Sequence, residues 1–488
     1  MQKIIKKIKD KNLYFSFLIT LVFFGIFIKM DYATDTYSVL ASYPKEIFNH
    51  FMQSGRFVTA LWWGAACVLN LSDYLIYLSS FILAIICITL AIYNLYLVIN
   101  KKIQNSAISL ILSTITIINP FSIELFMFIE KGIFGLGILL SILAFSRFVK
   151  YLEGDKKSLI LIFLYMLIAT FCYQGVIGLF IAISAVYVIV YNKNVKDFIK
   201  NNIIILLGYG IPAIINLITV KFIYGNSRVT GEVALQESIQ KILQGSKEML
   251  GTFCILPKYT LVIAIFALTL FYIVSVLINK KDSIKKKVLN ILGLAYIFIA
   301  ILGISIAPQI MQSTDSIWFV PRSTYPFAAI IGLISIYTLI ITEKNNIKYI
   351  IIGIISVSIL IMQLYSFNKI EIDHYNLNYM DKLNSLSIGK EILGYEQETG
   401  NKVTKICIYS DQNESYTYPY IWAKKDTNIT GFYPDWSIIK MINYYNNIEL
   451  TQGENDLEIE ESFKEKDWDN YSDEQIIFVG DTIHYCKF

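Results

Sequence analysis

Charge is scarce in this chain. Of its 488 residues only 16% are Asp, Glu, Lys or Arg, where an ordinary soluble domain carries about a quarter. A soluble protein of this length folds as several domains with polar surfaces, and there are too few charges here to cover them. That shortage excludes a simple cytosolic enzyme, and the composition equally excludes a disordered chain and a collagen-like fibre. Histidine is rarer still. His50, His374 and His484 are the only three, too scattered for a metal site. The six cysteines show no CxxC or other ligand spacing, so no zinc or iron–sulfur centre is expected. P-loop, GxSxG, HExxH and EF-hand patterns are absent. The polar tail has no basic groove-like cluster, which argues against nucleic acid.

Long apolar runs take the place of charge. Hydrophobic residues make up 55% of the chain and the mean hydropathy is +0.53. About 20 apolar residues span a bilayer, and segments near 13–29, 74–99, 106–119, 132–148, 158–172, 175–192, 202–223, 259–279, 288–306, 326–342 and 348–366 read as eleven spans. Those at 106–119 and 158–172 are short and are expected to end in buried, non-helical backbone. The lysine-rich start, with Lys3, Lys6, Lys7, Lys9 and Lys11, precedes an apolar run without a small-x-small cleavage site. It therefore reads as an uncleaved first span with a cytoplasmic N-terminus. With eleven spans, 21 of the 31 basic residues before residue 368 fall on the cytoplasmic side, the bias expected of a multi-pass membrane protein.

Residues 368–488 differ in kind. They hold 11 basic and 22 acidic residues, a net of −11, whereas the rest of the chain carries +15. The organisation expected is a polytopic all-α transmembrane domain over 1–366, followed by a small extracytoplasmic α/β domain over 367–488. In the tail, 379–397 and 437–447 read as helices, 402–410 as a strand, and 475–488 as strand, turn and strand. Cys407 and Cys486 fall in two of those strands and can pair if the strands are neighbours. Tyr416, Tyr418, Tyr420, Trp422, Tyr433 and Trp436 serve either as a small aromatic core or as a surface that stacks on sugars.

The polar features of the membrane part gather in the outer loops. The first of these, about 30–73, holds Asp31, Asp35, Glu46, His50 and Arg56, then the stretch RFVTALWWGAACVL, whose Trp62-Trp63 pair suits a helix lying in the interface plane. If a hydroxyl attacks a sugar carbon at the membrane surface, a carboxylate can take its proton. A lipid-phosphate leaving group then needs a fixed cation, and arginine binds phosphate as a planar fork that keeps its charge. Asp35 or Asp31 fits the first role, although both equally mark the wet end of a span. Arg56, or the later outer-loop cations Lys131, Arg228 and Arg322, fits the second. Glu124, Tyr173 and Gln174 are candidates for binding sugar hydroxyls. The stretch ALQESIQKILQGSKEML, 234–250, has helical periodicity and reads as a surface helix gating lipid access or as a plain connector.

The segment 31–64, with Asp35 soon after the first span and Gly55-Arg56 further on, resembles the bacterial glucosyltransferase II family. These are the serotype-converting O-antigen glucosyltransferases of the GT-C superfamily. Tyr173-Gln174 at the end of a middle span and Pro321-Arg322 in a late loop are similar to that family as well. The chain departs from the pattern in its split acids, since three residues separate Asp31 from Asp35 where the family often has adjacent ones.

The resemblance implies a hexose, glucose in that family, moved with inversion from a polyprenyl-phosphate carrier to a cell-surface glycan on the outer face of the membrane. The partners are then the lipid-linked donor, the glycan acceptor and the bilayer, with no metal or other cofactor. Two other readings are a flippase or transporter of lipid-linked glycans and a surface-glycan polymerase or ligase.

Overall fold

The computed structural model describes residues 10–41, 45–192, 194–224, 234–310, 312–343, 345–411, 430–432, 434–468 and 471–487. Arg228, and with it Tyr416, Tyr418, Tyr420, Trp422 and Tyr433, lies outside the described residues. The chain divides into two compact units: 1–29 with 47–368, and 30–46 with 369–488. The division departs from the sequence reading in one segment. Residues 30–46, read above as part of the first outer loop, group with the tail.

The first unit is helical. Among the described residues eight helices are long and apolar enough to cross a bilayer. They are Lys11–Ile28, Asp73–Ile103, Lys131–Leu152, Gln174–Tyr191, Val195–Phe222, Thr260–Ile278, Ile284–Ile310 and Asn346–Thr399. The remaining three expected spans are shorter helices, Ser106–Ile117, Ser158–Cys172 and Ile330–Ile341. At 1.5 Å per residue these reach only about 18–22 Å, less than the roughly 30 Å of a hydrocarbon core. Ser106–Ile117 is followed by backbone that stays buried from Ile118 through Glu130. Buried irregular backbone is tolerated at membrane depth when protein surrounds it, and this stretch carries Glu124.

Local chemistry sets the helix ends. The Ser72 hydroxyl accepts from the Leu75 N–H at the start of Asp73–Ile103, and Gln104 closes that helix in the left-handed conformation. The Asn105 side chain then caps the next helix by accepting from Ile108. Small residues let the central helices touch. A Cβ on Gly132 would lie 2.6 Å from the Ser80 carbonyl oxygen, and one on Gly135 3.3 Å from the Ala84 Cα. In this way Lys131–Leu152 packs against Asp73–Ile103 at backbone distance, as small residues permit between apolar helices. The span segments of Lys131–Leu152 and Gln174–Tyr191 are 72% buried, whereas those of Val195–Phe222, Thr260–Ile278 and Ile284–Ile310 are 28–33% buried. The outer helices therefore present bare Ile, Leu and Phe side chains. Such a surface suits an apolar solvent and is far larger than the patches a soluble monomer shows.

The expected tail helix 379–397 is the far part of Asn346–Thr399, a single 54-residue helix. Polarity changes at the end of the span, but helix breakers do not: after Gly353 the next glycine is Gly389, and the helix contains no proline. Beyond it, β1 (Lys405–Ser410), β2 (Thr451–Gln452), β3 (Ile476–Val479) and β4 (Thr482–Lys487) form one sheet in the order β2-β1-β4-β3. β1 runs parallel to β2 and β4, and β3 is antiparallel to β4. Helix Asp435–Asn446 falls where the sequence places it.

The register settles the cysteine question. Cys407 pairs with His484 and Cys486 with Tyr409, so the two cysteines share a face on neighbouring strands but sit two residues out of step. That stagger puts their Cα atoms about 8 Å apart, too far for a disulfide. Both are free thiols in one apolar cluster with Tyr409 and Phe463.

His484 lies 2.8 Å from the Tyr409 hydroxyl, which also accepts from the Asp456 N–H. Burial pushes the imidazole pKa below its usual value, and the Asp456 charge opposes this only in part. The unfolded chain therefore takes up this proton first, as pH falls through about 6.5. Stability contributed here is complete above that pH and declines from there toward the lower folded value. The expected outcome is a tail that loses stability on acidification, by at most about 1.4 kcal/mol per pH unit within that window. His484→Gln should flatten that slope in thermal melts between pH 7 and 5.

Candidate functional site

Three stretches of the helical unit converge. The first follows the short helix Ser106–Ile117. Asn119 turns the chain: its Oδ1 accepts from the Phe121 N–H at 3.0 Å and its Nδ2 donates to the Tyr325 carbonyl at 3.3 Å. The turn leads into helix Ser122–Met127, which directs Glu124 inward, 2% exposed.

The second is the tight turn Pro321–Ser323. Glu124 Oε2 accepts from the Arg322 backbone N–H and Oε1 from its Nη1, both at 2.6 Å. The guanidinium carbon lies 4.6 Å from the centre of the Phe128 ring. One buried carboxylate thus fixes both the backbone and the side chain of Arg322. Gln309 anchors the same loop, accepting from the Trp318 N–H at 3.0 Å and donating to the Ser323 hydroxyl at 3.2 Å.

The third is the break between helices Ser158–Cys172 and Gln174–Tyr191, where Tyr173 is extended. A Cβ on Gly175 would lie 2.4 Å from the Arg322 carbonyl oxygen, so the backbones of these two turns touch. Tyr173 in turn supports Arg56, whose guanidinium carbon is 4.9 Å from the ring centre. Gly55, at φ +73° and with no room for a side chain beside Asn216, delivers Arg56 to that position. Its carbonyl accepts from Asn216 Nδ2 at 2.6 Å and from Gln174 Nε2 at 3.2 Å.

Arg56, Glu124, Tyr173, Gln174 and Arg322 are therefore linked through a chain of direct contacts. Gln174 and Glu124, read from sequence as sugar ligands, here hold backbone and arginine in place. Lys131 is placed differently. The residue is 1% exposed, and its ammonium donates to the Tyr77 hydroxyl at 2.8 Å and sits 3.9 Å from that ring centre.

The aspartates belong to the other unit. Asp31 is 3% exposed, its Oδ2 3.9 Å from His374 Nε2. Asp35 is exposed, in the first turn of helix Thr34–Ala41. Asn378 fixes this segment: its Oδ1 accepts from the Tyr32 N–H at 2.8 Å and the Tyr37 hydroxyl at 3.2 Å, and its Nδ2 donates to the Tyr32 carbonyl at 3.0 Å. Tyr37 also shares a 2.9 Å hydrogen bond with the Tyr445 hydroxyl.

Sequence reasoning missed Asn216, Gln309 and Asn378. Asn216 did carry a signal, as an amide within an apolar run. No group of three or more His, Cys, Asp or Glu side chains suited to a metal occurs among the described residues.

The cluster offers two guanidinium groups, each lying against an aromatic ring, one of them oriented by a buried carboxylate. Planar, permanently charged donors on a stiff support suit a phosphate or phosphate ester. No family model, curated protein or solved structure matches the chain.

Proposed function

We propose that the protein is a multi-pass membrane glycosyltransferase of GT-C type. It moves a hexose, glucose by the resemblance noted above, from a polyprenyl-phosphate carrier to a surface glycan. In this reading the chain crosses the membrane eleven times, its N-terminus is cytoplasmic, and the C-terminal α/β unit is extracytoplasmic.

The observation that carries the reading is the Glu124–Arg322 pair against the Tyr173–Gly175 turn that also supports Arg56. An arginine bound by its own backbone N–H and its guanidinium to one carboxylate keeps its orientation as charge develops nearby. Transition-state charge is stabilised best by donors that need no rearrangement.

The step proposed is a single displacement. An acceptor hydroxyl attacks the anomeric carbon, its oxygen forming the new bond as the bond from that carbon to the phosphate oxygen breaks. The configuration inverts, the hydroxyl proton passes to the Asp35 carboxylate, and the polyprenyl phosphate leaves with the bonding pair. Arg322 and Arg56 balance the charge that collects on the phosphate. No metal enters this step.

Binding tests the first half of the reading. Undecaprenyl phosphate should raise the thermal midpoint of the full chain in nanodiscs, and undecaprenol, which lacks the phosphate, should not. Equal shifts for the two lipids would count against a phosphate site.

A further inference from the structure

Helix Leu235–Leu250 has three faces, and two are accounted for. At 100° per residue, Ser238, Gly245 and Met249 share one side, and all three are buried. This side seats the loop that leads to Arg322. The Ala234 N–H donates to the Thr314 hydroxyl at 2.7 Å, the Ser238 hydroxyl shares a 2.8 Å hydrogen bond with it, and Lys241 Nζ donates to the Thr314 carbonyl at 3.3 Å. Gly245 meets Phe319 so closely that a Cβ would lie 2.2 Å from the ring. The opposite side is polar, with Gln236, Gln240, Gln244 and Lys247.

Between them lies an apolar strip left uncovered among the described residues. Leu235 is 72% exposed, Ile239 49%, Leu243 59% and Leu250 41%. Its surroundings identify the occupant. Ten residues after Leu250 the chain enters Thr260–Ile278, whose exposed side shows Ile263, Phe266 and Leu270 at 65%, 67% and 51% exposure. At the join stand Lys258 and an exposed Tyr259, a cation and an aromatic of the kinds that collect at membrane–water boundaries. A helix with docked, apolar and polar sides in this order matches one lying in the plane of a bilayer. A second copy fits less well. Four side chains supply a few hundred Å², where stable protein interfaces bury more than about 1,000 Å² in total.

We propose that helix Leu235–Leu250 lies flat at the headgroup–acyl boundary, with a lipid bilayer covering Leu235, Ile239, Leu243 and Leu250. Through Thr314 and Phe319 it holds the 312–323 loop, and Arg322 with it, at headgroup depth; the significance of that depth for Arg322 rests on the function proposed above. The helix acts as a depth stop for the loop that meets the carrier's phosphate.

Photo-crosslinking of the full chain in nanodiscs of phosphatidylethanolamine and phosphatidylglycerol tests this. One variant carries Leu243→p-benzoylphenylalanine and the other Gln244→p-benzoylphenylalanine, both at exposed positions that leave the docked side intact. The expected result is a phospholipid adduct, seen by intact mass, severalfold more abundant from position 243 than from 244. Equal lipid yields at the two positions, no lipid adduct at 243, or a covalent dimer from 243 would overturn the proposal. The readout requires no sugar transfer, so a failed transfer assay leaves this result standing, and the reverse also holds.

Discussion

Arg322→Ala is expected to abolish the undecaprenyl-phosphate shift and to destabilise the helical unit by about 3–5 kcal/mol, the usual cost of removing one partner from a buried ion pair. Glu124 is 2% exposed, and the substitution takes the guanidinium from its Oε1 while the backbone N–H at position 322 stays on its Oε2. Arg322→Lys separates the two consequences. A lysine restores positive charge beside Glu124 but not the planar fork. It should recover much of the stability while transfer stays down by roughly 10²–10³-fold, the loss typical when one preorganised donor is removed from a transition state. Thermal melts and turnover measured on the same preparations check both parts. An Arg322→Ala protein with an unchanged midpoint would show that the pair does not support the loop. One that still binds the lipid phosphate normally would remove Arg322 from the site.

Asp35→Asn should reduce transfer by about 10²–10⁴-fold, the range for losing a general base, while folding and lipid-phosphate binding remain normal. Asp35 is exposed and opens helix Thr34–Ala41. The isosteric amide therefore forfeits at most about 1 kcal/mol of favourable charge–dipole interaction. Asp31→Asn should give the opposite pattern. Asp31 is 3% exposed and close to His374, so its replacement disturbs packing in the unit of 30–46 with 369–488 and shows as a lower midpoint. If Asp31→Asn silences transfer without a stability change and Asp35→Asn does not, the base is Asp31.

The apolar segments could be read from composition because a span is a local property, about 20 residues of one character. Each of the eleven expected segments coincides with helix over most of its length; 106–119 runs two residues past Ser106–Ile117, and 326–342 takes in two helices, Tyr325–Ala328 and Ile330–Ile341. The continuity of Asn346–Thr399 was not legible in the same way. The sequence marks where the lipid-compatible run stops, near residue 366, but a helix continues until a breaker or better competing contacts stop it. The union of 30–46 with the tail depends on Asn378, Tyr37 and Tyr445 meeting across hundreds of residues, which no local pattern encodes. The same holds for the cluster of arginines. Glu124, Tyr173, Gln174 and Arg322 stand out in the sequence as polar or paired residues at span ends. The pairing of Glu124 with Arg322 joins positions 198 apart and turns an expected sugar ligand into an anchor for a cation.

The measurement that tests the account most directly uses the full chain reconstituted in liposomes with polyprenyl phosphate bearing a labelled glucose and an acceptor glycan. The expected result is label in the glycan, joined with inverted anomeric configuration, and at least about a hundredfold less of it when Asp35→Asn replaces the wild type. Label that crosses the bilayer while staying on its carrier would contradict the account and identify a flippase instead.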